Sequence, residues 1–233
     1  EEGRLPVVYL LHGYTDDHTT WCKNTKIELY AQEYQVAVVM PDAGKSLYTD
    51  MAYGDAYFTY ITKEVPEYVT KWFPISRKKE YNFLAGNSMG GYGAMKFGLN
   101  YPERFNAVAS FSSALVVSQM AQFATMEMPA NFPDFMKHLL NDVKFIFNDL
   151  SDIANCENDP CWLVKNNIEQ GKKLPRLYLS CGTNDFIYPF TKGFKDFLSQ
   201  LSVECEYSEE PETHNWRYWD RQLDSFLKWA IKK

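Results

Sequence analysis

The chain reads as an α/β protein built on a mostly parallel sheet with helices on both faces. Three observations point there. Short apolar runs of strand length recur along the 233 residues, helical stretches separate them, and several runs lack the polar alternation of a half-exposed strand. Strand–helix alternation of this kind calls for a parallel sheet, and in such sheets ligands gather at the carboxyl ends of the strands.

The first run, residues 5–11, ends in His12-Gly13-Tyr14. A polar loop leads to a helix over 21–34, and a second strand over 35–40 closes at Pro41-Asp42-Ala43-Gly44. A loop rich in tyrosine (Tyr48, Tyr53, Tyr57, Tyr60) feeds a helix that reaches Trp72 and Phe73. A strand starting at Tyr81 breaks at Gly86, a helix runs to Leu99, and Tyr101-Pro102-Glu103 stops it. Residues 105–111 form the next strand.

From 115 to 171 the rhythm is lost. The segment is rich in Met and Phe, punctuated by Pro129, Pro133 and Pro160, and reads as a helical insertion that either caps the pocket or packs on the sheet. The rhythm returns with a strand over 174–181, the turn Gly182-Thr183-Asn184-Asp185, a helix over 190–201 and a strand over 203–207. An acidic loop over 208–213 reaches His214, and a helix over 216–231 follows. Without repeats or a low-complexity linker, the chain is expected to form one domain over 1–233, with 115–171 as its cap or insertion.

Net charge is −6 with both signs mixed along the chain, which argues against a nucleic-acid surface needing a basic patch. No apolar run approaches the ~18–20 residues of a membrane span, and nothing at the N-terminus resembles a signal peptide. A cytoplasmic location is expected, or a secreted one if a leading segment has been removed. Among five cysteines, Cys22, Cys181 and Cys205 stand apart. Cys156 and Cys161 are close enough to bridge but lack a second ligand pair for zinc. A reducing compartment is the expectation, a local Cys156–Cys161 disulfide the alternative, and no metal is called for.

The residues that carry chemistry centre on Gly86-x-Ser88-x-Gly90, between a buried strand and a helix of small residues. A serine on a sharp strand-to-helix turn needs neighbours without bulk, because backbone segments cross closely there. The turn lifts its hydroxyl clear of the sheet. A glycine-rich turn without chemistry is the alternative. Serine is a poor nucleophile unless a base takes its proton and a carboxylate orients the base. Of the four histidines, His12 precedes the serine, His18 lies in the following loop, and His138 falls in the insertion. His214 alone fits the chain order Ser, Asp, His that accompanies such an elbow. Asp185, directly after a strand, is the candidate acid, with an N-cap of the next helix as its other reading. Two N–H donors for an oxyanion are expected from Met89 and Tyr14, with Gly13 letting the backbone approach. His12, Gly13 and Trp216 are expected to border the substrate, although core packing is the alternative for Trp216 and for the tyrosine loop.

With these residues in view, the chain resembles the esterase-D-like branch of the α/β-hydrolases, which includes acetyl and tributyrin esterases, feruloyl and acetylxylan esterases, and S-formylglutathione hydrolases. The matching motifs are Y-L-L-H-G-Y-T-D-D from Tyr9, V-V-M-P-D from Val38, G-N-S-M-G-G-Y-G-A-M from Gly86, Y-P-E-R-F from Tyr101, C-G-T-N-D from Cys181 and T-H-N-W-R-Y-W from Thr213. Members usually carry antiparallel strands ahead of the L-L-H-G strand, whereas this chain begins almost inside it. The resemblance implies the α/β-hydrolase fold and a cofactor-free serine esterase with Ser88, Asp185 and His214 as triad and Tyr14 and Met89 as oxyanion donors. The expected substrate is a small ester, short-chain or hydroxycinnamoyl, such as the phenolic or acetyl esters of plant cell walls. S-formylglutathione hydrolysis is the alternative within enzymes, and an inactive binding module the alternative outside them. A homo-oligomer is compatible with all three.

Overall fold

The structure is a computed structural model that describes residues 3–118, 134–148 and 153–231. Met120, Phe123, Met126, Met128 and Phe132 of the insertion lie outside those residues, as do Asp149 and Asp152. Six strands form one sheet: β1 (Val7–Leu11), β2 (Ala37–Val39), β3 (Asn82–Asn87), β4 (Ala107–Phe111), β5 (Arg176–Gly182) and β6 (Cys205–Glu210). Their order is β2-β1-β3-β4-β5-β6, and every neighbouring pair is parallel. The register sets Leu11 beside Gly86, Asn87 beside Phe111, Phe111 beside Ser180, and Gly182 beside Glu210. The carboxyl ends of β1, β3, β4, β5 and β6 therefore share one edge.

The helices are α1 (Thr20–Asn24), α2 (Ile27–Tyr34), a single turn α3 (Tyr57–Thr59), α4 (Val65–Trp72), α5 (Met89–Asn100), α6 (Asp134–Phe147), α7 (Pro160–Glu169), α8 (Tyr188–Gln200) and α9 (Trp216–Ala230). Successive strand residues point to opposite faces, and the core divides accordingly. Val7, Tyr9 and Leu11 join Met95 and Phe97 of α5 and Phe194 and Leu198 of α8. Val8 and Leu10 join Trp21 of α1, Ile27 of α2 and Phe226 and Leu227 of α9. Strands wetted by neither face have no reason to alternate in polarity, which is why their sequences read as continuous apolar runs.

Two expectations are corrected. The helix over 21–34 is two helices, because Thr25 turns extended (φ −135°, ψ 174°) while its hydroxyl donates to Trp21 O at 2.6 Å. A threonine hydroxyl competing for helix carbonyls is a recognised helix breaker. The last strand does not stop at Tyr207. It runs to Glu210, into the stretch expected as an acidic loop, because an edge strand pairs through its backbone while leaving its glutamates solvated.

The described parts of the insertion take two positions. α6 lies over the sheet edge, its last-turn carbonyls Phe145 O and Ile146 O accepting from Tyr53 N–H (3.1 Å) and Ala52 N–H (2.8 Å). α7 packs on α5 instead, with Asn167 donating to Leu99 O at 2.7 Å. All five cysteines are free thiols, Cys156 and Cys161 included. Burial pushes the Cys161 and Cys181 thiols up to about 12. No described helix is long and apolar enough to cross a membrane.

Candidate active site

Where β3 ends, the chain must reverse into α5 within one residue. That residue is Ser88, held at φ 53°, ψ −119°, a left-handed conformation that strains a side-chain-bearing residue by about 1–3 kcal/mol. Its N–H donates to Phe111 O at 2.8 Å, and its carbonyl accepts from Gly91 N–H (3.1 Å) and Tyr92 N–H (3.2 Å). The flanking glycines are required sterically. A β-carbon on Gly86 would lie 2.3 Å from Gly90 O, and one on Gly90 would lie 2.2 Å from Leu11 O. The glycine-x-serine-x-glycine spacing is thus the packing condition for bringing β1, β3 and α5 together.

The loop after β1 passes directly over this turn. Gly13 N–H donates to Asp16 Oδ2 at 3.2 Å, and a β-carbon on Gly13 would sit 2.7 Å from that oxygen and 3.6 Å from Ser88 Cβ. Burial holds Asp16 above its ordinary carboxyl value, with the Gly13 N–H pulling the other way. Among the described residues, none accepts a hydrogen bond from the Tyr14 N–H. Met89 opens α5, so its N–H belongs to the first helical turn, where donors have no intrahelical acceptor. Both N–H groups thus stay available beside Ser88.

His12 is completely buried and both ring nitrogens are occupied. Nε2 accepts from Ala43 N–H at 3.0 Å, which leaves the proton on Nδ1, 2.8 Å from Gly13 O. Tyr48, also buried, donates to His12 O at 3.0 Å. These two residues brace the loop. Trp216 packs edge-to-face between Trp21 and Trp219, with ring centroids 5.0 Å away in each case. It does not line the cavity beside Ser88.

Two strands away, the loops after β5 and β6 are zipped together by Thr183 N–H to Glu210 O (2.7 Å) and Asn184 N–H to Glu212 O (3.0 Å). That brings Asp185 Oδ2 to 2.8 Å from His214 Nδ1. The aspartate side chain is fully buried and the imidazole 21 % exposed. Asp185 Oδ1 accepts from Ile187 N–H at 3.0 Å, so the two oxygens of the carboxylate have different partners. With Nδ1–H donating to Asp185, His214 Nε2 is left as an acceptor. Phe186 (4.9 Å) and Trp219 (4.8 Å) flank the ring.

Ser88 opens onto a cavity of about 80 Å³ with an almost wholly apolar wall, including Leu47, Tyr92, Val117 and Ile187 together with Leu139 and Val143 of α6. The Tyr14 hydroxyl donates to the Asp142 carboxylate of α6, and burial and that carboxylate together push the phenol far above its usual value. These contacts escaped sequence reading. Apolar residues in an irregular insertion look alike in sequence, and nothing local marks Asp142 as the partner of a residue 128 positions earlier.

Known proteins show the same arrangement of chain. An acetyl esterase from Caldicellulosiruptor saccharolyticus is 29 % identical over 233 residues, covering 100 % of this chain and 85 % of its own. The substrate-bound structure of fluorophosphonate-binding serine hydrolase F from Staphylococcus aureus is 34 % identical with a TM-score of 0.86, covering 99 % of this chain and 85 % of that one. The apoenzyme of an S-formylglutathione hydrolase from Staphylococcus aureus is likewise 34 % identical, with a TM-score of 0.82 and coverage of 98 % and 85 %. The Esterase family model matches residues 1–230. The family model spans nearly the whole chain, and the chain belongs to the Esterase family, an α/β-hydrolase-fold group of serine hydrolases.

Proposed function

We propose that the chain is a serine carboxylesterase for short-chain acyl esters, with Ser88 as nucleophile, His214 as base and Asp185 as the orienting acid. The observation that carries this reading is the strained Ser88 turn opening onto a small apolar cavity beside spare N–H groups. Ser88 Oγ attacks the ester carbonyl while His214 Nε2 takes its proton. Asp185 keeps the proton of the neutral ring on Nδ1 and stabilises the imidazolium that forms. The N–H groups of Tyr14 and Met89 receive the oxyanion, and loss of one such donor typically costs ~3 kcal/mol of transition-state stabilisation. The imidazolium then protonates the leaving alcohol, and a water molecule repeats the sequence on the acyl-enzyme, releasing the acid and free Ser88.

The cavity volume favours acetyl to butyryl groups over a hydroxycinnamoyl acyl chain; Trp216 packs on Trp21 and Trp219 and Tyr48 is buried, while Tyr53 and Tyr60 of the tyrosine loop are exposed. α6 acts as the cap over the acyl group. Thioester hydrolysis on S-formylglutathione uses the same machinery and is supported by the 34 % identity to a hydrolase of that name. The test is hydrolysis of p-nitrophenyl acetate, butyrate and octanoate, methyl ferulate and S-formylglutathione, each repeated with Ser88→Ala. Short-chain turnover that falls by about 10⁴-fold or more in the variant is expected. Retention of wild-type rates in Ser88→Ala would overturn the assignment, and dominant S-formylglutathione turnover would select the thioesterase reading. Absence of fluorophosphonate labelling would point to an inactive binding module.

A further inference from the structure

A second cavity, of about 220 Å³, lies on the α4 side of the sheet, walled by Tyr9, Glu67, Thr70, Arg77, Asn82 and Arg104, with Pro66 and Phe105 as apolar wall. Asn82 begins β3 and Ser88 follows its end, so the two sites lie at opposite ends of one strand, about 20 Å apart at ~3.3 Å per residue. Nothing in the esterase mechanism uses this place.

Its polar lining is unusual. Neither Arg77 nor Arg104 forms an ion pair with a carboxylate among the described residues. Arg104 is half-buried, one nitrogen donating to Thr62 O at 2.6 Å and the guanidinium plane resting on the rings of Phe97 (5.1 Å) and Tyr101 (5.3 Å). Burial lowers its pKa from the usual value, with Tyr9, Tyr101 and Glu103 pulling the other way. Arg77 uses Nε on Thr70 Oγ1 at 3.0 Å, and its terminal nitrogens have no hydrogen-bond partner among the described residues. Asn82 is fixed by donating to Ser76 O and Lys78 O.

Tyr9 supplies the independent observation. Its side chain is 2 % exposed, it lines this cavity, and its hydroxyl has no hydrogen-bond partner among the described residues. Burial pushes that hydroxyl up to about 12, against the pull of Arg104 and Arg77. It stays protonated in the field of Arg104 and Arg77 and opens onto the cavity. Glu67 is the single carboxylate in the wall, and Glu103 acts on Arg104 from beside it.

We propose that this cavity is a binding site for a small oxyanion, a carboxylate or phosphate group, received by Arg77, Arg104 and the Tyr9 hydroxyl. Paired guanidiniums suit the planar oxygens of either group. Pro66 and Phe105 leave room for a short organic body.

The test is isothermal calorimetry and thermal unfolding of the whole chain with sodium phosphate and, separately, sodium benzoate, against sodium chloride at matched ionic strength. Saturable one-site binding of phosphate or benzoate is expected, with a rise in Tm that chloride does not give. The more effective anion identifies which oxyanion the cavity takes. Arg77→Gln, at an exposed position away from Ser88, is expected to weaken binding about tenfold while leaving p-nitrophenyl acetate hydrolysis unchanged. Tyr9→Phe is expected to weaken binding severalfold with the fold intact. Equal affinity in both variants, or a Tm response no larger than that of chloride, overturns the proposal.

Discussion

Gly86 and Gly90 face backbone atoms at separations no β-carbon tolerates, whereas Leu139 and Val143 of α6 face the same cavity through side chains that can be trimmed without moving the backbone. The floor of the pocket is made by main chain crossing main chain within a few residues of sequence. Its roof is made by a helix about fifty residues downstream, tied down by Asp142 to Tyr14 and by two loop N–H groups. The floor is therefore rigid and intolerant, and the roof is the adjustable part, where the shape of the cavity can change without loss of the serine turn.

The largest break should come at the floor. Gly90→Ala places a methyl 2.2 Å from Leu11 O, and neither partner can yield without separating β1 from α5. A destabilisation of about 3 kcal/mol or more is expected, read as a lower denaturation midpoint together with loss of esterase activity. A variant with unchanged midpoint and rate would mean that the crossing is looser than the structure shows.

Lys96 tests the seam between the two regions. It sits on α5, 1 % exposed, with Nζ donating to Thr49 Oγ1 at 2.8 Å and the rings of Phe58 and Tyr92 at 4.9 and 5.8 Å. Burial lowers its pKa from 10.5 to about 7, with Glu157 and Asp50 opposing. The folded chain releases this proton near pH 7 and the unfolded chain only near 10.5. Between those values the unfolded state binds more protons, so stability rises with pH, by at most about 1.4 kcal/mol per unit for one group. Below pH 7 both states are protonated and the cost of the buried charge is fully present. Lys96→Met should flatten the rise in denaturation midpoint between pH 7 and 9. An identical slope in the variant would assign that rise to other groups.

The smallest effect is expected at the roof. Val143→Ala enlarges the cavity by two methyl groups and should raise the octanoate-to-acetate ratio of kcat/KM about tenfold, with acetate turnover nearly unchanged. An unaltered ratio would remove α6 from the acyl site.

Much of this was readable in the sequence for a physical reason that differs by region. The strands around Leu10, Leu84, Val108 and Leu179 announce themselves because they are covered on both faces. Gly86-x-Ser88-x-Gly90 announces itself because its sterics are local. Strand and helix ends were less readable, since Thr25 breaks a helix through one hydroxyl and β6 extends through backbone pairing that tolerates glutamate. Trp216 and His12 looked like ligand-facing residues but brace the core and the loop, because a ring or an imidazole at a strand end looks the same in sequence whether it faces a ligand or a neighbour.

The sequence by itself determined the parallel sheet, the strained serine turn and the chain order of Ser88, Asp185 and His214, all consequences of local sterics and two-sided burial. Only the tertiary structure decided that Asp185 Oδ2 meets His214 while Oδ1 serves Ile187, that α6 roofs the cavity while α7 packs on α5, and that Tyr9, Arg77 and Arg104 share a second cavity. Those outcomes depend on contacts between residues dozens of positions apart, where many pairings satisfy the same hydrophobic pattern and only simultaneous packing of the whole chain selects one.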